Sequence, residues 1–220
     1  MERLSASSFV QNGHEFHLYS YQDISVPDGV KLKDAREILS KDEIFCYGEN
    51  AGRSKGSFSA FSNLFRYELL FKKGGFWTDL DVICLKHFDF IEPYVFGREP
   101  DGKIGAAIFK APAGSDFLQF CIDKCRSKDL HSVKYTEIGP MLVTQAVMTF
   151  KLYKFVKDPK TFYPLDWRHF ADVISPEIYI EHRTSYAFHL WHEMWRKSGV
   201  DKNAQYPSNC LYETFKKKFL

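Results

Sequence analysis

No stretch of this 220-residue sequence approaches the ~20 consecutive apolar residues that a helix needs to cross a bilayer. The opening MERLSASSFV lacks the apolar core of a secretory signal, so the chain is expected in the cytoplasm. Paired cysteines are missing too. The five present, Cys46, Cys84, Cys121, Cys125 and Cys210, are odd in number and form no C-x-x-C pair, which excludes a disulfide framework and a zinc knuckle and fits a reducing compartment. Charge of one sign is in short supply: 30 Lys plus Arg face 28 Asp plus Glu, which argues against a nucleic-acid binder, since phosphate-backbone affinity needs concentrated basic residues. The one basic run is Lys216-Lys217-Lys218. With Phe215, Phe219 and Leu220 beside it, the run is either a solvated tail or a peripheral contact with the inner face of a membrane. Internal repeats, low-complexity tracts and linkers are absent, which leaves a single domain over residues 1–220 as the expectation.

What is present is an ordinary globular apolar content of 45%, with a high aromatic content of 17% that serves a core and suits a pocket for a flat or sugar-like ligand. Elements of both kinds alternate, the pattern of an α/β domain. LSASSFVQN (4–12) reads as a helix stopped by Gly13, and EFHLYSY as the strand after it. A turn follows at Pro27-Asp28-Gly29, then a short helix at KDAREILS. From Ser57 to Lys73, Phe58, Phe61, Phe65 and Leu69 recur at helical spacing, with Gly74-Gly75 as the stop. GREPDGKIGAAIFKAP reads as a hairpin around Asp101-Gly102, SDFLQFCIDKCRS as a helix capped by Ser115, and PMLVTQAVMTF as a helix opened by Pro140.

The segment KKGGFWTDLDVICLK (72–86) puts two aspartates inside an apparent buried strand. On an extended strand alternate side chains share a face, so Asp79 and Asp81 are expected side by side. Like charges that close raise one another's pKa unless a cation lies near. Mg²⁺ or Mn²⁺ accepts one or two carboxylates and completes its shell with water and phosphate oxygens, the arrangement used for diphosphates. The plain alternative is two acids at a strand end facing solvent. On the preceding helix Ser59, Asn63 and Arg66 form a polar stripe opposite the Phe face, either a structural ion-pairing set or a bidentate contact for phosphate or sugar oxygens.

FSNLFRYELLFKKGGFWTDLDV resembles the signature of the DXD-containing sugar transferases of the glycosyltransferase family 32 type. These include capsular polysaccharide synthesis enzymes, yeast-type mannosyltransferases and the catalytic domains of large clostridial glucosylating toxins. The family pattern is Ser-Asp before an Arg, a Gly-Gly turn, an aromatic and Asp-x-Asp. YAFHLWHEMWRKSG is similar to the family's C-terminal segment, where a His followed by Trp returns to the metal site, and TEIGPMLVT to its Gly-Pro segment. The resemblance runs from about residue 4 to the end and is strongest at 57–86 and 186–196. It implies a GT-A type, Rossmann-like nucleotide-sugar-binding domain with a mixed sheet flanked by helices. The implied activity is transfer of a sugar, with retention, from a nucleotide-sugar, a UDP-sugar, to a hydroxyl of a glycan or glycolipid in polysaccharide or glycolipid assembly. Asp79, Asp81 and Arg66 are then the catalytic set, Ser59, Asn63, Arg66, Asp79 and Gly139 the donor-binding set, and Asp79, Asp81 and His189 the ligands of Mn²⁺ or Mg²⁺, with His192 the second choice after His189. Read alone, His189 is a core histidine among Phe188, Leu190 and Trp191.

Three departures from the pattern stand out. Asn63 replaces the family's Asp, keeping an acceptor, losing the charge and adding a donor. Ile138 replaces the small hydroxyl residue before Gly-Pro. The sequence opens at the helix that follows the family's first strand, so a sheet without that strand is expected to expose unpaired backbone and an apolar slot, leaving as the alternative a non-catalytic nucleotide-sugar or glycan-binding remnant.

Overall fold

The structure is a computed structural model that describes residues 1–130 and 132–220. These divide into two compact units. One comprises residues 1–34, 79–89 and 158–220, and the other residues 35–78 and 90–157.

In the second unit a four-stranded sheet is built from β3 (Gly75–Thr78), β5 (Val95–Arg98), β6 (Ile104–Ala111) and β7 (Val156–Lys157), in the order β3-β6-β5-β7. β3 and β5 run antiparallel to β6, while β7 runs parallel to β5, so the sheet is mixed. β6 (IGAAIFKA) is buried on both faces, as a continuous apolar run at a sheet centre should be. The expected hairpin is present, Gly102 supplying the φ of +92° that its turn requires. Among the described residues this unit carries the α-helices α2 (Ser59–Lys73), α3 (Asp116–Arg126) and α4 (Pro140–Thr149). α3 buries Phe117, Leu118, Cys121, Ile122 and Cys125, an amphipathic spacing, and Phe117 packs its ring on Phe96 and Phe109 of the sheet. Its cap position falls at Ser115 as expected, but the Ser115 hydroxyl makes no capping bond. α2 begins at Ser59, so Phe58 stands before the helix at 60% exposure, while α2 itself is buried nearly all round, with Asn63 and Arg66 inside. Partly buried Glu68 on α2 accepts from Arg126 at 2.6 and 3.0 Å, which ties the end of α3 to α2.

In the first unit α1 (Glu2–Gln11) precedes β1 (Phe16–Ser20), which pairs in parallel with β2 (Val30–Asp34). The helix expected at KDAREILS is replaced by the end of β2 and a 3-10 turn at Ala35–Glu37, because Lys33 and Asp34 pair with Tyr19 and Ser20. β4 (Val82–Cys84) pairs antiparallel with β8 (Ala187–His189). α5 (Pro159–Phe162), α6 (His192–Ser198) and α7 (Leu211–Phe219) complete the unit, with Trp195, Phe188 and Tyr212 fully buried.

Unpaired backbone along the aspartate segment is met by side chains of α1. Ser5 Oγ donates to the Val82 carbonyl at 2.6 Å, Ser8 Oγ accepts the Cys84 N–H at 2.8 Å, and Asn12 Nδ2 donates to the Cys84 carbonyl at 3.1 Å. Ser5, Ser8 and Asn12 recur at i, i+3 and i+7, so one face of a helix bonds β4 as a neighbouring strand would. Among the described residues no helix is long and apolar enough to cross a membrane.

Candidate active site

β3 ends at Thr78, and Leu80 and Asp81 form a turn before β4 begins. The two aspartates therefore do not alternate along one strand as expected. The backbone is redirected because β3 pairs with β6 while β4 pairs with β8, and the Val82 N–H closes the turn on the Asp79 carbonyl at 3.3 Å.

The register Val82↔His189 then decides what Asp81 meets. The Asp81 carbonyl accepts the Leu190 N–H at 2.8 Å, and the carboxylate lies 3.2 Å from His189 Nε2. The same oxygen, Oδ2, accepts the His192 N–H at 2.8 Å, at the first turn of α6. That second contact depends on Trp191, which holds a left-handed backbone at φ 59°, an uncommon conformation for a residue with a side chain. Packing fixes it: the Trp191 indole donates to the Leu165 carbonyl at 2.9 Å, and its ring lies 4.1 Å from the His189 ring and 5.6 Å from the Tyr163 ring.

Burial alone would push the Asp81 carboxyl up. The His189 imidazole and the His192 N–H outweigh it and hold the group well below the usual carboxylate range, hence ionised. Burial lowers the His192 pKa, aided by Lys202 and opposed by Asp81.

The other expected residues lie in the second unit. Arg66 is buried at 3% exposure; its guanidinium donates to the Ser62 carbonyl and hydroxyl, both at 3.1 Å, and to the Ala106 carbonyl. Its Cζ sits 5.0 Å from the Trp77 ring centre. A bidentate contact with phosphate would exchange these bonds. Asn63 and Gly139 are brought together: a Cβ at Gly139 would stand 3.0 Å from Asn63 Nδ2, so a side chain there would press on the Asn63 amide. One turn along α2, Tyr67 donates to the Ile138 carbonyl at 2.9 Å, so α2 grips the Ile138-Gly139 segment at two points. The Ser59 hydroxyl accepts from Ser57 at 3.1 Å.

Sequence reasoning missed Tyr163 and the His192 backbone as parts of the Asp81 surroundings, and reached Trp191 only through the resemblance of its segment. The His-Leu-Trp-His spacing was the one available signal, and it pointed to side chains, whereas the contact is made by a backbone N–H.

Residues 6–96 match the family described as "Glycosyltransferase sugar-binding region containing DXD motif". Residues 110–219, half of the chain, match the family described as "Alpha 1,4-glycosyltransferase conserved region". The chain belongs to the DXD-containing glycosyltransferases, enzymes of sugar transfer. It is also similar to a solved structure named PaToxG Glycosyltransferase, at 15% identity over 70% of this chain and 68% of that one, with a TM-score of 0.45. No curated protein matches it.

Proposed function

We propose that the protein transfers a sugar from a UDP-sugar to a hydroxyl of a glycan or glycolipid, with retention and with Mn²⁺ or Mg²⁺ held by Asp79 and Asp81, His189 acting through its contact with Asp81 rather than as a ligand. The observation that carries this reading is the Asp81 carboxylate, kept ionised inside the protein by an imidazole and a helix N–H. A buried ionised carboxylate is costly unless it serves a cation or a hydrogen-bonded pair, and this one stands two residues from a second aspartate in a family that carries the motif.

The donor set suits a hard divalent ion. Among the described residues no three His, Cys, Asp or Glu side chains converge into a cage, so an ion here takes its remaining ligands from water and diphosphate oxygens, as Mg²⁺ and Mn²⁺ usually do. When bound, such an ion offsets the negative charge that grows on the leaving nucleoside diphosphate. The chain's own contribution is orientation: His189 and the His192 N–H fix Oδ2 of Asp81, and Trp191 fixes both. Ser59, Asn63 and Gly139 keep the donor-binding role that the resemblance assigns. Arg66 is assigned to holding α2 on β6, which keeps Asn63 directed at Gly139.

Release of UDP from a panel of UDP-sugars, with and without Mn²⁺, tests the proposal against an Asp79→Ala, Asp81→Ala double variant whose fold is checked by circular dichroism. The expected outcome is metal-dependent release that the variant loses. Equal release by the variant overturns the assignment, and UDP binding without release, in the presence of acceptor, favours the non-catalytic alternative.

A further inference from the structure

Away from the aspartates, the first unit carries a cleft of about 280 Å³ that the sugar-transfer reading does not use. It is lined by Lys86, His182, Arg183 and Lys218, by the hydroxyls of Ser185 and Thr214, and by apolar Leu85, Leu211 and Phe215. No carboxylate lines it among the described residues. Its cations come from three separate parts of the chain: the residues after β4, the loop 175–186, and α7. The His182 ring packs edge-on against Phe215 at 5.8 Å and Phe188 at 6.0 Å, which fixes the loop against α7 and so keeps Arg183 and Lys218 on one cleft. Lys86 is pinned by the Thr184 carbonyl at 2.8 Å and by the Tyr186 ring at 4.4 Å.

Like charges gathered around an apolar floor repel one another, and they suit an anion that brings apolar material with it. The nearest acid in sequence, Glu181, is taken up by the Tyr179 hydroxyl at 2.9 Å and the Arg183 N–H at 2.8 Å. The loop that supplies Arg183 also carries Ile178 and Tyr179, exposed at 44% and 67%. An aromatic with a polar tip and a branched aliphatic residue beside cations are the composition of a membrane-interface segment. A balanced overall charge, 30 basic against 28 acidic residues, disfavours nucleic acid.

We propose that this cleft takes the phosphate of an anionic phospholipid headgroup and docks the first unit on a membrane surface. The proposal is independent of the sugar-transfer reading. It is tested with the full chain by sedimentation with phosphatidylcholine vesicles, with and without phosphatidylserine. Binding is expected only where phosphatidylserine is present. At about fivefold for each cation near an anionic surface, Arg183→Gln with Lys218→Gln should weaken it roughly 25-fold. Lys151→Gln with Lys154→Gln, exposed residues of the other unit, makes the same charge change and should leave it within about twofold. Equal loss in both double variants overturns the proposal, since net charge would then suffice. Tyr179→Ser separates lipid from free anion: it should weaken vesicle binding and leave titration with inorganic phosphate unchanged. Phosphate binding in the cleft without phosphatidylserine-dependent sedimentation overturns the lipid assignment, as does retention on single-stranded DNA without it.

Discussion

Arg66 and Ser8 show how a polar side chain is spent once it is buried. The Arg66 guanidinium donates to Ser62 on α2 and to the Ala106 carbonyl on β6 and lies against Trp77, so Arg66→Met leaves the Ala106 carbonyl without this donor and should lower stability by about 2–3 kcal/mol, read from the urea midpoint. A fall in activity at unchanged stability would instead return Arg66 to the donor. Ser8 both donates to Ser5 and accepts the Cys84 N–H, so Ser8→Ala orphans a strand amide and should cost about 1–3 kcal/mol. Hydrogen exchange would localise the effect: the Cys84 amide should lose protection before its neighbour Ile83, which is bonded within the sheet pair. Asp81→Asn keeps the shape and one acceptor but loses the charge, so the fold should persist while Mn²⁺ affinity falls at least tenfold, measured by calorimetry with UDP present.

Element ends carry the next set of expectations. Gly74 terminates α2 at φ 66°, and a Cβ there would come within 2.8 Å of the Ala113 backbone nitrogen. Gly74→Ala should therefore cost more than the ~1 kcal/mol of left-handed strain alone, visible as a lowered melting temperature. Asp166 caps the 3-10 segment Trp167–Ile174 by accepting the Arg168 N–H at 2.9 Å, and it pairs with the Arg168 guanidinium at 2.6 Å. Those Arg168 bonds hold its carboxyl down at about 2, below the ~3.9 of a free Asp. A folded pKa below the unfolded one stabilises at neutral pH, and the gain is lost as pH falls from about 4 through about 2. Asp166→Ala should thus cost about 1 kcal/mol at pH 7, less as pH falls below about 4, and only a fraction of that near pH 2, where about half of the wild-type carboxyl is protonated.

At the scale of the whole molecule, the thiols report on packing. Cys84, Cys121, Cys125 and Cys210 are buried, and Cys46 is partly exposed. Burial pushes Cys84 and Cys125 up to about 12 and Cys121 well above its ordinary value, so these thiols stay protonated and inert. An aromatic disulfide reagent at pH 8 should titrate one thiol rapidly in the native protein and all five in denaturant; two or more rapid thiols would contradict this packing. Aromatic richness is answered the same way. Phe96, Phe109 and Phe117 form a packed cluster in the second unit, and Phe88, Phe162 and Phe188 are buried in the first, so the rings build cores.

Much of the fold was legible in the sequence. The helices at α1, α2, α3 and α4 follow from spacing and punctuation, because contacts at i, i+3 and i+4, the stops at Gly13 and Gly74 and the start at Pro140 are local. The DXD signature and the sugar-transferase family were legible for the same reason, being carried by more than twenty consecutive residues. The turn that takes Asp79 and Asp81 off a single strand was not legible, since it arises from the different partners of β3 and β4. The meeting of Asp81 with His189, 108 positions away, was reached only through the family resemblance, and that of Ser5 with Val82, 77 away, was not legible at all. Those contacts exist because chain closure and burial leave few ways to satisfy a backbone amide or a carboxylate, and only the tertiary structure decides which way is taken.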